Sequence, residues 1–116
     1  YYAQNYADFG WAVLMAGGSC PVINVSDEAF LKAIPGMVPV TIDNTDYQML
    51  SGKNGAVVYA HKKQEIKISL PAGIYSVKYI HPQSGELIIL LKKHKMSDIY
   101  TLKVDKVGAY WLQRIR

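Results

Sequence analysis

Glu65-Ile66-Lys67-Ile68-Ser69-Leu70-Pro71-Ala72-Gly73-Ile74-Tyr75-Ser76-Val77-Lys78-Tyr79 is the stretch on which the fold turns. Successive side chains of an extended strand point to opposite faces, so residues two apart share a face. Ile66, Ile68 and Leu70 therefore fall on one side, with Lys67 and Ser69 on the other. Tyr75, Val77 and Tyr79 repeat the pattern against Ser76 and Lys78, which predicts two half-buried strands with Tyr75 and Tyr79 in a core. Pro71-Ala72-Gly73 separates them: proline presets the first corner of a turn and glycine accepts a positive φ. The same chemistry recurs in His81-Pro82-Gln83-Ser84-Gly85. Both connections are expected to be tight hairpins.

The period-two pattern extends in both directions from this stretch. Expected strands are 40–42, 47–50, 56–61, 65–70, 74–81, 86–91, 99–104 and 109–115, separated by turn residues. Eight short strands with no interleaved helices predict a mainly β domain, an antiparallel two-sheet β-sandwich. Leu87-Ile88-Ile89-Leu90-Leu91 has no polar face. It is expected to be a central strand covered on both sides, or one that contacts a neighbouring domain. Before Pro39 the period changes. Tyr6, Phe9 and Val13 fall on one helical stripe, Trp11 and Leu14 widen it, and Gly17-Gly18 supplies a left-handed exit, which predicts a short helix over 6–16. A second short helix is expected over 27–34, capped by Ser26, acidic in its first turn and ended by Pro35-Gly36. The expected division is 1–36 as a helical segment and 37–116 as the sandwich.

Composition narrows the classes of function. Half of the 116 residues are apolar, enough for one core without staples. The single Cys20 cannot form an internal disulfide and reads as a small buried hydrophobe, and no Cys/His spacing resembles a zinc site. The apolar run Leu87–Leu91 is too short to span a bilayer. With no initiator Met and no leader pattern, the chain reads as a piece of a longer polypeptide. Its net charge of +4 is unevenly distributed. Residues 1–52 carry −4, whereas residues 53–116 carry twelve Lys/Arg against four acids, or +8. Such a field attracts polyanions, but lysines also stand on the solvent faces of strands to discourage edge-to-edge pairing, and that reading is preferred. Neither nucleic acid nor membrane is expected as a partner.

No motif names a reaction. A glycosidase needs two carboxyl groups held across the scissile bond, and the acids here fall mainly in expected loops and caps. Asp43-Asn44-Thr45-Asp46 reads as a turn whose side chains bond their own backbone. As a calcium site it lacks a bidentate acid and the glycine of an EF-hand loop. Ser19 and Cys20 after a Gly-Gly turn, with His61, His81 and His94 scattered along the chain, make no nucleophile–base motif. No catalytic residue, metal or cofactor is assigned. Tyr47, Tyr59, Tyr79, Tyr110 and Trp111 are the candidate ligand-binding residues, because flat aromatic faces stack on sugar rings while tyrosine hydroxyls hydrogen-bond. The competing expectation is that these rings fill the core.

Several segments together resemble a known family. Gly10-Trp11-Ala12-Val13-Leu14-Met15-Ala16-Gly17-Gly18-Ser19, a following short helix, and a meander containing Gly55-Ala56-Val57-Val58-Tyr59, Leu70-Pro71-Ala72-Gly73-Ile74-Tyr75 and Tyr79-Ile80-His81-Pro82-Gln83-Ser84-Gly85 are similar to the C-terminal region of apiosidase-like glycoside hydrolases. That region is similar in turn to the module named for a collagen-binding domain of collagenase. The likeness spans nearly the whole chain. It departs at the second turn, where His81 and Gln83 stand in place of the family's usual Asp/Asn and Arg. The resemblance implies a β-sandwich that follows a (β/α)₈ barrel, with the helix over 6–16 as the barrel's last. Phe9, Trp11, Val13 and Leu14 would then contact the barrel, and the catalytic carboxylates would lie before Tyr1. It further implies a secreted, periplasmic or cell-surface location. The expected function is a non-catalytic accessory domain of a carbohydrate-active enzyme, with the preceding catalytic domain as partner. The alternatives are a polysaccharide- or matrix-binding module using exposed aromatics and basic strands, and a fragment contributing a residue to the parent's active site.

Overall fold

The computed structural model describes residues 28–34, 37–40, 46–53, 55–81, 84–96 and 98–115. The expected helix over 6–16 with Phe9, Trp11, Val13 and Leu14, together with Ser19, Cys20, Ser26 and Asp43, lies outside them. Within them the chain forms helix α1 (Glu28–Ala33) and strands β1 (Val38–Pro39), β2 (Tyr47–Gly52), β3 (Gly55–Ala60), β4 (Gln64–Ser69), β5 (Gly73–Ile80), β6 (Leu87–Met96), β7 (Ile99–Val104) and β8 (Gly108–Arg114). Six strands make one sheet in the order β1-β2-β3-β8-β5-β6, and β4 pairs with β7 in a second. Every pairing is antiparallel. The mainly β, two-sheet architecture expected from alternation is the one the chain adopts.

Alternation also explains how the layers are filled. Ile66, Ile68 and Leu70 from β4 and its end meet Leu102 and Val104 from β7, and together they pack on Ala56, Val58, Tyr75, Val77, Tyr79, Tyr110 and Leu112 of the large sheet. The intervening residues of the same strands, Leu50, Val57, Tyr59, Ile80, Ala109 and Trp111, fill the opposite face, where Phe30 of α1 and Met37 cover them. Burial of each large aliphatic side chain contributes about 1.5–3 kcal/mol. The large sheet is thus the middle layer of three over β3 and β8, both of which are buried on the two faces.

Two expectations need correction. Leu70-Pro71-Ala72-Gly73 does not close a hairpin: β4 belongs to the two-stranded sheet and β5 to the large one, so the connection arches between layers. A strand–Pro–x–Gly–strand pattern is common to both geometries, because both strands present apolar residues to one interior in either case. The second connection is a hairpin, with Ile80 opposite Leu87. Leu87–Leu91 is not a central strand. It opens β6, the edge of the large sheet among the described residues, and Ile88, Ile89 and Leu90 are exposed. The doubly covered place is held by Gly55-Ala56-Val57-Val58-Tyr59-Ala60 of β3, buried at every position.

Candidate functional site

The five candidate ligand-binding aromatics come from three adjacent strands, β2, β3 and β8, and from β5. Tyr47 is half-buried at the start of β2 and packs on the core between the sheets. Tyr59, Tyr79, Tyr110 and Trp111 are buried. No stacking platform is formed from them, and the competing core expectation describes their places. The physical reason is register: Tyr79 lies directly opposite Tyr110, their rings 5.1 Å apart, on the face that the two-stranded sheet covers. Tyr59 and Trp111 point to the other face, under α1.

The tyrosine hydroxyls have structural work within this arrangement. Tyr75 donates to the Pro71 carbonyl at 2.7 Å and holds the arch between sheets. Tyr79 donates to the Val107 carbonyl at 2.6 Å. Tyr110 donates to the Lys106 carbonyl at 2.8 Å and accepts the Lys106 N–H at 3.2 Å, so two tyrosines secure the β7–β8 turn. Burial pushes the Tyr75, Tyr79, Tyr100 and Tyr110 phenols above their ordinary value of 10.0. Tyr79 is raised further by Tyr110, while the Arg114 charge opposes the rise at Tyr75. A phenol whose folded pKa exceeds its unfolded value stabilises fully below the unfolded value, and that stability is lost as pH rises through the folded one. The chain is therefore expected to keep its stability up to about pH 10 and lose it progressively above. Urea midpoints measured from pH 7 to 11 check this; a midpoint unchanged at pH 11 would refute it.

Trp111 is fully buried, with its ring 5.1 Å from that of Phe30 in an edge-on arrangement. The Lys78 ammonium sits 4.5 Å from the ring centroid and donates to Gln113 Oε1 at 2.8 Å. The indole Nε1–H is buried without an acceptor among the described residues.

The polar candidates are dispersed. Asp46 pairs with Lys62 at 3.0 Å, and its carbonyl accepts Gln64 Nε2 at 3.0 Å and the His61 N–H at 2.8 Å, which ties the start of β2 to the β3–β4 connection. His81 Nδ1 accepts the Ser84 N–H at 3.2 Å. Its carbonyl takes the Gly85 N–H at 2.8 Å, with Gly85 at φ 75°. Histidine thus supplies the side-chain acceptor that Asp or Asn gives in such turns. His94 is exposed and lies 5.9 Å from the Tyr100 ring, far along the chain from His61 and His81. No group of three His, Cys, Asp or Glu among the described residues is placed to hold a metal ion.

The sequence reading missed the length and shape of β6. The strand runs on to Met96 through Lys92-Lys93-His94-Lys95, all exposed. Its pairing with β5 slips twice: between the Val77–Leu91 and Lys78–Ile89 pairs it carries one extra residue, Leu90, and between Tyr75–His94 and Val77–Leu91 another, within Lys92–Lys93. Such bulges leave residues outside the alternation, so a run with no polar face could stand at an edge. The consecutive lysines were the available signal, since edge strands favour them.

No family model, no curated protein and no solved structure matches the chain.

Proposed function

We propose that the chain is a non-catalytic accessory domain of a secreted, glycoside hydrolase-like enzyme, which packs on and stabilises a catalytic barrel earlier in the same polypeptide. The observation that carries this reading is the inward use of its aromatics: Tyr59, Tyr79, Tyr110 and Trp111 fill two core layers, and the tyrosine hydroxyls hold turns. Such a body is a scaffold. The described carboxylates stand on different elements. Asp46 precedes β2, Glu65 stands on the exposed side of β4, and Glu86, Asp98 and Asp105 occupy three successive connections. The resemblance of Gly10–Ser19 and the meander segments supplies the parent. On this reading Phe9, Trp11, Val13 and Leu14 make the barrel contact, catalysis belongs wholly to the barrel, and the location is extracytoplasmic. The binding-module alternative loses its aromatic platform to the core.

Producing the parent polypeptide with and without residues 28–116, which carry Phe30 of α1 in the sandwich core, tests the proposal. Removal is expected to lower the barrel's melting temperature by about 5 °C or more while the isolated sandwich hydrolyses no glycoside. An upstream segment without barrel strands ending in paired acids would replace the accessory reading with the binding one.

A further inference from the structure

Strand β6 presents three features along an edge that no other described strand pairs. The Glu86 carbonyl accepts the His81 N–H at 2.9 Å, so backbone alternation turns the N–H and C=O groups of Leu87 and Ile89 away from β5. No described strand follows β6 on that side. Beside these groups Ile88, Ile89 and Leu90 are 37%, 51% and 49% exposed. Through and beyond the second bulge come Lys92, Lys93, His94 and Lys95, all exposed, and no carboxylate among the described residues forms an ion pair with the three lysines.

These features select a chemistry. Outward backbone donors and acceptors are satisfied by another extended backbone, whose side chains also cover the apolar run. A lipid surface fits poorly, because placing Leu87–Leu90 in hydrocarbon would strand those same backbone groups without partners. A second copy fits poorly as well: it brings three more lysines and one acid, Glu86, to the interface, and each chain carries +4. Lysines and bulges at an edge are the features that discourage self-pairing, and they leave it open to a strand of opposite charge.

We infer that β6 is a docking edge for an extended polypeptide segment with acidic residues on the N-terminal side of alternating apolar ones. Added antiparallel, like every other pairing in the sheet, such a segment sets its acids beside Lys92–Lys95 and its apolar residues beside Leu87–Ile89. The inference stands apart from the accessory-domain proposal, since it needs no parent enzyme.

The test uses the 116-residue chain and a fluorescein-labelled peptide, Asp-Glu-Asp-Gly-Val-Thr-Ile-Thr-Val, read by anisotropy. Saturable binding is expected, with about tenfold or greater weakening in the double variant Lys92→Glu/Lys93→Glu. Ile89→Pro, which removes one outward N–H, is expected to weaken it too, with far-UV circular dichroism confirming that both variants fold. A peptide N-methylated at alternate apolar residues should not bind. The inference is overturned if the unmodified peptide shows no binding up to about 1 mM, or if the N-methylated peptide binds equally well. It is also overturned if phosphatidylserine vesicles or a sulfated polysaccharide bind while the peptide does not, or if light scattering shows a dimer that blocks the peptide.

Discussion

Gly55→Ala is expected to destabilise the chain by about 3 kcal/mol or more, a large part of the stability of a domain this size. Gly55 opens β3 at φ 142°, a backbone conformation rarely open to side-chain-bearing residues. A Cβ there would press into the Leu112 carbonyl oxygen and lie 3.1 Å from its carbon and 3.3 Å from Gln113 Cα. These are backbone atoms of the neighbouring β8 strand, paired with β3 from Gly55 opposite Gln113 to Ala60 opposite Gly108. No rotamer change relieves the conflict, so relief has to separate the two central strands. Urea denaturation followed by far-UV circular dichroism measures the loss; a shift of under about 1 kcal/mol would mean that Gly55 does not hold this backbone geometry.

Trp111 is expected to give the second large effect, with a contrast between two substitutions. Trp111→Ala empties the centre of the layer under α1 and removes the ring contacts to Phe30 and Lys78, at a cost of about 3–5 kcal/mol. Trp111→Phe keeps an aromatic ring and forfeits no hydrogen bond to a described residue, because the indole N–H has no acceptor among them. It is expected to cost less than about 2 kcal/mol, the remaining loss coming from reduced volume and a weaker cation–π contact. Equal, large losses in both variants would show that the indole N–H takes part in a hydrogen bond after all. The same comparison bears on function. A ring whose truncation mainly costs stability is a core residue, which agrees with the accessory-domain proposal.

Some of this architecture could be read directly from residue order. Ile66, Ile68 and Leu70 and then Tyr75, Val77 and Tyr79 declared buried faces because alternation is a property of each strand alone. The span of β7 and the hairpin after Ile80 were legible for the same local reason, with turn residues bounding apolar runs. The candidate site was much less legible. Tyr79 and Tyr110 meet in a tilted contact across a pairing between segments about 30 residues apart, and Trp111 meets Phe30 from another layer. Whether an aromatic is a platform or a core ring depends on what covers it, and the cover comes from elsewhere in the chain.

Sequence by itself determined that this protein is a β-rich chain of alternating strands with glycine- and proline-marked connections, since period and turn chemistry are set within a few residues. Only the tertiary structure decided that β4 leaves for the second sheet, that β3 rather than β6 lies at the centre, and that four of the five chosen aromatics are internal. Those outcomes follow from which strands pair and which layer lies over each face, and pairing is settled by the joint burial of side chains distant in sequence.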